Sequence, residues 1–122
     1  MPRRRGNAEQ VIQRALVQHL RLRAWPDVVW FAVPNGGWRS PVEGAILKAT
    51  GVLPGVPDLV FIHRERAYFL ELKTEEGKPT EKQLEVISRL EKAGAYTAIC
   101  YGLDRALACL TAWGLIREAK VQ

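Results

Sequence analysis

The chain has 122 residues, 48% of them hydrophobic and 25% charged, with a formal net charge of +5 and a pI near 9.6. One domain of this length buries a core without staples, and the apolar fraction excludes wholesale disorder. A basic excess that persists after carboxylates are set aside for a pocket suits a polyanion gripped broadly and acted on locally.

In chain order, residues 1–6 form a basic arm and residues 7–122 a single domain. Arg3, Arg4 and Arg5 are candidate phosphate contacts, although a terminal charge run is also a common solvated tail. The start has no apolar core of a signal peptide and no stretch approaches a membrane span, so the expected location is the cytoplasm and no membrane partner is expected. Asn7-Ala8-Glu9-Gln10 reads as a capping box opening a helix with the stripe Ile12, Leu16 and Leu20, flanked by Ala15 and His19. Val28 to Val33 is a strongly apolar strand, expected in the middle of a sheet. Pro34 to Arg39 is a loop. Ser40-Pro41-Val42-Glu43 caps a short second helix that Gly51 stops.

Two apolar runs follow, Asp58 to Ile62 and Ala67 to Lys73, separated by His63-Arg64-Glu65-Arg66, which is short enough for an antiparallel hairpin. Glu75 to Pro79 is a turn. Thr80-Glu81-Lys82-Gln83 opens a third helix with Leu84, Ile87 and Leu90 inward, ended by Gly94. Tyr96 to Tyr101 is the fourth strand, and Asp104 caps a last helix running to about Trp113. Cys100 and Cys109, without paired spacing, read as buried apolar groups in a reducing compartment. His19 and His63 fit no zinc pattern. The order of elements is that of one mixed α/β domain without repeat or linker.

The chemistry concentrates in the hairpin. If Ile62 closes against Ala67, Asp58 falls opposite Glu71, and directly opposed residues share a face with Cβ atoms roughly 4.5–5.5 Å apart. Lys73, two residues beyond Glu71, points to the same face. A cross-strand salt bridge or a protected sheet edge would also place charge here, but Glu71 and Lys73 interrupt one of the most apolar runs in the chain. Two facing carboxylates repel unless a cation or proton intervenes, and Mg²⁺ takes one or two carboxylates while keeping waters. A lysine beside such an ion suits phosphoryl chemistry, where it orients water or meets charge growing on phosphorus.

Glu9 lies in the first helical turn on the buried stripe. It either complements the helix dipole or adds a carboxylate to the metal side. Gln83 is either the capping-box residue of Thr80-x-x-Gln83 or a hydrogen bonder in the site. Asn35, Gly36, Gly37, Trp38 and Arg39 combine amides, an indole and a guanidinium, a set that can wrap a phosphate backbone, or they form a tight turn with a core-packed tryptophan. Lys78 and Lys82 are candidate phosphate contacts near the mouth of the hairpin. Trp113, Leu115 and Ile116 are apolar enough to serve as an interface.

The ordered set Glu9, Pro34-Asn35-Gly36-Gly37, Lys48-Ala49-Thr50-Gly51, Gly55-Val56-Pro57-Asp58, Glu71-Leu72-Lys73 and Gln83 resembles the virus-type replication-repair nuclease (VRR-NUC) family of the PD-(D/E)xK nucleases. It spans residues 7 to 113 with no departure at these positions. The resemblance implies a restriction-endonuclease-like core, a mixed central β-sheet flanked by helices. It also implies a DNA endonuclease dependent on Mg²⁺ or Mn²⁺. Asp58, Glu71 and the Leu72 backbone carbonyl would ligate metal with Glu9 as a further candidate. Lys73 would assist the nucleophile, Glu9 and Gln83 would support the site, and Lys48 would join the DNA-binding residues. Without an attached domain, the comparison is with stand-alone members, which resemble Holliday-junction resolvases, act on branched DNA in recombination and repair, and form homodimers. A phage origin fits. Two alternatives stand beside this: a linear-duplex or flap endonuclease of the same chemistry, and a non-catalytic nucleic-acid-binding module on a nuclease fold.

Overall fold

Two residues, Arg64 and Glu65, join the central strands β2 (Leu59–His63) and β3 (Arg66–Lys73), with φ of 49° and 68°. Positive φ at both central residues is the signature of a type I′ turn, whose twist matches that of the strands it connects. Such a turn fixes the register, and the register is the expected one: Ile62 faces Ala67 and Leu59 faces Leu70. His63 Nε2 lies 2.9 Å from Asp27 Oδ2, tying the turn to the loop after the first helix. That hydrogen bond holds the Asp27 carboxyl below its ordinary value.

The computed structural model describes residues 7–34 and 40–119, so the arm Arg3-Arg4-Arg5 and the loop residues Asn35, Gly36, Gly37, Trp38 and Arg39 lie outside the described residues. The remaining elements are α1 (Asn7–Arg23), β1 (Val29–Ala32), α2 (Pro41–Ala49), α3 (Glu81–Lys92), β4 (Tyr96–Tyr101) and α4 (Leu103–Ala112). The sheet order is β1-β2-β3-β4, with β1–β2 and β2–β3 antiparallel and β3–β4 parallel. A parallel pair needs a long crossover, which α3 supplies. This is the mixed sheet flanked by helices that the sequence implies. Among the described residues no helix is long and apolar enough to cross a membrane.

Strand alternation sorts the two faces. Leu59, Phe61, Tyr68, Leu70 and Leu72 bury against Leu16 and Leu20 of α1 and Ala106 and Leu110 of α4. Glu71 and Lys73 point to the opposite face, where α3 buries Gln83, Val86 and Ile87. A hydrophobic layer on one side therefore backs a polar pocket on the other.

Four expectations are corrected. β1 is an edge strand, not a central one, and its Val29 and Phe31 remain 61% and 48% exposed. Leu84 is 47% exposed because the inward stripe of α3 is phased on Gln83, with Val86, Ile87 and the half-buried Leu90. Gly102, at φ 91°, precedes α4 in place of an Asp104 cap, and Asp104 lies in the first turn. Leu115 and Ile116 are core, and Trp113 packs against Tyr68 at a centroid distance of 5.1 Å, so this group is not a free interface.

The type I′ turn carries a cost that can be relieved. Left-handed backbone costs an L-residue roughly 1–2 kcal/mol, whereas glycine adopts it freely at some entropic expense. Glu65→Gly is therefore expected to stabilise the fold by roughly 0.5–1 kcal/mol, seen as a higher urea midpoint at unchanged slope.

Candidate functional site

Continuing the β2–β3 ladder by one pair beyond Leu59–Leu70 sets Asp58 against Glu71, and a further step sets Pro57 against Leu72. Proline has no N–H to give the ladder. The Leu72 N–H is taken instead by Asp58 Oδ2 at 2.7 Å. The amide and carbonyl of one strand residue point to the same side, so the Leu72 carbonyl also faces this position, and Pro57 offers it no donor. The Asp58 carbonyl meanwhile accepts from Val33 N at 2.8 Å, which anchors Asp58 to the chain beyond β1. Gly55, at φ 89°, enters this segment: a Cβ there would meet the Lys82 carbonyl oxygen at 3.0 Å, so the Gly55 backbone lies directly on the start of α3.

Glu71, Lys73 and Gln83 are 1%, 2% and 4% exposed, charges and an amide withdrawn from water in the middle of a fold. Such burial is tolerated only with partners. Lys73 Nζ lies 3.4 Å from Glu71 Oε2 and 4.0 Å from Glu9 Oε2. Gln83 Nε2 donates to Glu71 Oε2 at 3.1 Å, while Gln83 Oε1 accepts from Thr80 N at 2.9 Å. Thr80 Oγ1 in turn accepts from Gln83 N at 3.1 Å. Both readings of Gln83 therefore hold together: it closes a capping box with one end of its amide and fixes Glu71 with the other.

The sequence-derived residues Asp58, Glu71, Leu72, Lys73, Glu9 and Gln83 thus converge from β2's leading end, β3, α1 and α3. Lys48, Lys78 and Lys82 do not join them. All three are exposed, and Lys82 Nζ sits 4.0 Å from Glu85 Oε2 in a surface pair of little energetic weight. Among the described residues no three His, Cys, Asp or Glu side chains group as a ready metal cage. The carboxylates of Asp58, Glu71 and Glu9 against the single ammonium of Lys73 leave a formal charge of −2. Hard oxygen donors, one or two carboxylates and a negative surplus fit Mg²⁺ or Mn²⁺, ions that keep several waters and need no all-protein cage.

Asp58 also lines a groove of about 760 Å³ between α1 and the end of β1, whose α1 wall includes Gln10, Gln13, Arg14, Gln18 and Arg21. Sequence reasoning passed over these residues because a polar helix face usually means solvent. The available signal was that this face carries arginines and amides and no carboxylate.

The fold has solved counterparts. A structure described as "VRR_NUC domain protein" matches with a TM-score of 0.70 and 22% identity over 89% of this chain and 89% of its own. Another, described as "VRR_NUC domain", matches with a TM-score of 0.56 and 22% identity over 85% of this chain and 94% of its own. No family model and no curated protein matches the sequence. The chain has the VRR_NUC fold, as the motif set implies.

The buried pair has a measurable signature. Lys73→Met removes the ammonium from beside a buried carboxylate, and breaking such a pair costs about 3–5 kcal/mol. Adding Glu71→Gln to that variant is expected to restore most of the loss, read from urea unfolding midpoints. A single variant as stable as wild type would contradict a charged pair.

Proposed function

We propose that this chain, with its VRR_NUC fold, is a DNA endonuclease that hydrolyses phosphodiester bonds at the Asp58–Glu71–Lys73 site and works in the cytoplasm. The observation that carries the proposal is the buried ammonium of Lys73, held between Glu71 and Glu9, with the Asp58 carboxylate bound to the N–H of the intervening Leu72. Asp58, Glu71 and the Leu72 carbonyl would hold Mg²⁺ or Mn²⁺, with Glu9 as a further candidate, and the ion would supply Lewis-acid charge at the phosphate and acidify water.

The chain's own residues do the positioning. Gln83 fixes the Glu71 carboxylate through Oε2. Pro57 withholds a ladder donor from the Leu72 carbonyl, and the Leu72 N–H holds Asp58 in place. Lys73, with its ammonium restrained by two carboxylates, orients water and meets negative charge developing on the phosphate. Pre-set charge in a site shielded from solvent acts without reorganising at the moment of reaction. A module that only bound nucleic acid would have no use for a buried carboxylate–lysine pair, which favours the enzyme over the non-catalytic reading.

A branched substrate, cut symmetrically, calls for two active sites related by a twofold axis. The surface that supports a homodimer is the uncovered half of the sheet. Among the described residues, Val29 and Phe31 of the edge strand β1 and Ile62 of β2 share one exposed sheet face, and α2 buries none of its residues. An apolar open edge is self-complementary, since a second copy offers the same strand. Sedimentation is expected to show a dimer that Phe31→Lys dissociates; a wild-type monomer at micromolar concentration would exclude it.

The activity is tested by incubating labelled four-way junction, flap and linear duplex with Mg²⁺ or with EDTA. Metal-dependent, symmetric nicks on the junction are expected. Cutting of the flap or linear duplex in preference would support the alternative substrate with the same chemistry. Asp58→Asn keeps an acceptor for the Leu72 N–H while removing the charge, and should slow cutting by roughly 100-fold or more. Binding without cleavage of any substrate would sink the nuclease reading.

A further inference from the structure

The face of α1 that lines the groove presents Gln10, Gln13, Arg14, Gln18 and Arg21, spaced to fall on one side of a helix with 3.6 residues per turn. The adjoining side of the same helix buries Leu16 and Leu20 and brings Glu9 to Lys73. The helix therefore begins at the site and runs away from it, with the groove along its flank. Neither Arg14 nor Arg21 forms an ion pair among the described residues. Arg23, by contrast, is committed, donating from Nε to the Arg117 carbonyl at 2.8 Å. Among the described residues, Asp58 is the only carboxylate lining the groove, and it belongs to the site.

We propose that this groove is a track for the phosphate backbone of one DNA strand, with Arg14 and Arg21 pairing phosphates and Gln10, Gln13 and Gln18 hydrogen-bonding the backbone. The inference rests on the nuclease reading for the role of Asp58, and on the α1 surface alone for binding. Guanidiniums and neutral amides are the side chains that position a backbone without reading bases. At 1.5 Å per residue, Arg14 lies ~8 Å and Arg21 ~18 Å along the helix from Glu9. At ~3.4 Å per nucleotide of one strand, these contacts fall about two and five nucleotides to one side of the cut. The track thus fixes which flank of the substrate must be intact.

The test uses fluorescence anisotropy in EDTA with a labelled duplex of about 20 base pairs, longer than the track, measured across a salt series. Each duplex phosphate contact contributes a slope of about −0.9 to the logarithmic salt dependence of affinity. Arg14→Ala with Arg21→Ala is expected to weaken binding and reduce the steepness by about 1.8, while Arg89→Ala on α3 leaves both unchanged. In cleavage assays, trimming one flank to about three nucleotides should slow the wild type and abolish its advantage over Arg21→Ala, because the distal phosphate is gone. An unchanged slope in the double variant, an equal loss in Arg89→Ala, or no binding by the wild type would overturn the track. A wild type that cuts DNA while the double variant keeps the wild-type slope removes the track and leaves the nuclease. A wild type that binds through the arginines yet cuts nothing removes the nuclease and leaves the track.

Discussion

Burying a carboxylate and an ammonium together on a central strand of a small sheet is the constraint around which this protein is arranged. Glu71 and Lys73 are i and i+2 on β3, so the strand pleat presents both to one face without choice. Once there, neither can be left to an apolar medium, because the desolvation penalty per ion is several kcal/mol even after relaxation. α3 answers with Gln83 and α1 with Glu9. The opposite face of the same strand supplies Tyr68, Leu70 and Leu72 to the hydrophobic core. The polar pocket is thus held by the burial of the residues interleaved with it, and a register slip of one residue would exchange the two sets.

The pocket's charge makes sense of an otherwise awkward composition. A pair of opposite charges could be replaced by well-packed apolar groups with little loss or a gain in stability. Retaining them, and adding Asp58 and Glu9, concentrates negative charge in a chain whose formal net charge is +5. The basic residues lie elsewhere, with Arg14 and Arg21 on the outer face of α1 and Lys48, Lys78 and Lys82 exposed. Two fields of opposite sign at short range suit a polyanion met over a wide surface and acted on at one point.

The hairpin register was legible in the sequence because a two-residue turn and a period of two leave almost no freedom. Pairing Ile62 with Ala67 sufficed to place Asp58, Glu71 and Lys73. Gln83 was legible as two competing roles, and it is the folded packing of α3 on β3 that lets the two ends of one amide serve both. Position within the sheet was less legible. β1 is as apolar as a central strand, and whether a neighbour covers its outer edge is a property of topology, not of the strand's own residues. Leu84 misled because a single leucine can sit 100° from the buried stripe while matching its chemistry. The groove was hidden for a related reason. Polar residues at helical spacing look alike whether they face bulk water or the wall formed by the end of β1.

The capping box of α3 has a consequence for how the site fails. Thr80 and Gln83 close the helix end with the same amide that restrains Glu71. Fraying of that first turn, among the lowest-energy openings available to any helix, releases the carboxylate in the same event. The integrity of the pocket is therefore set by a local equilibrium, not by the global stability of the domain. A lesion in the preceding turn would leave the protein folded, abundant and chemically blunt.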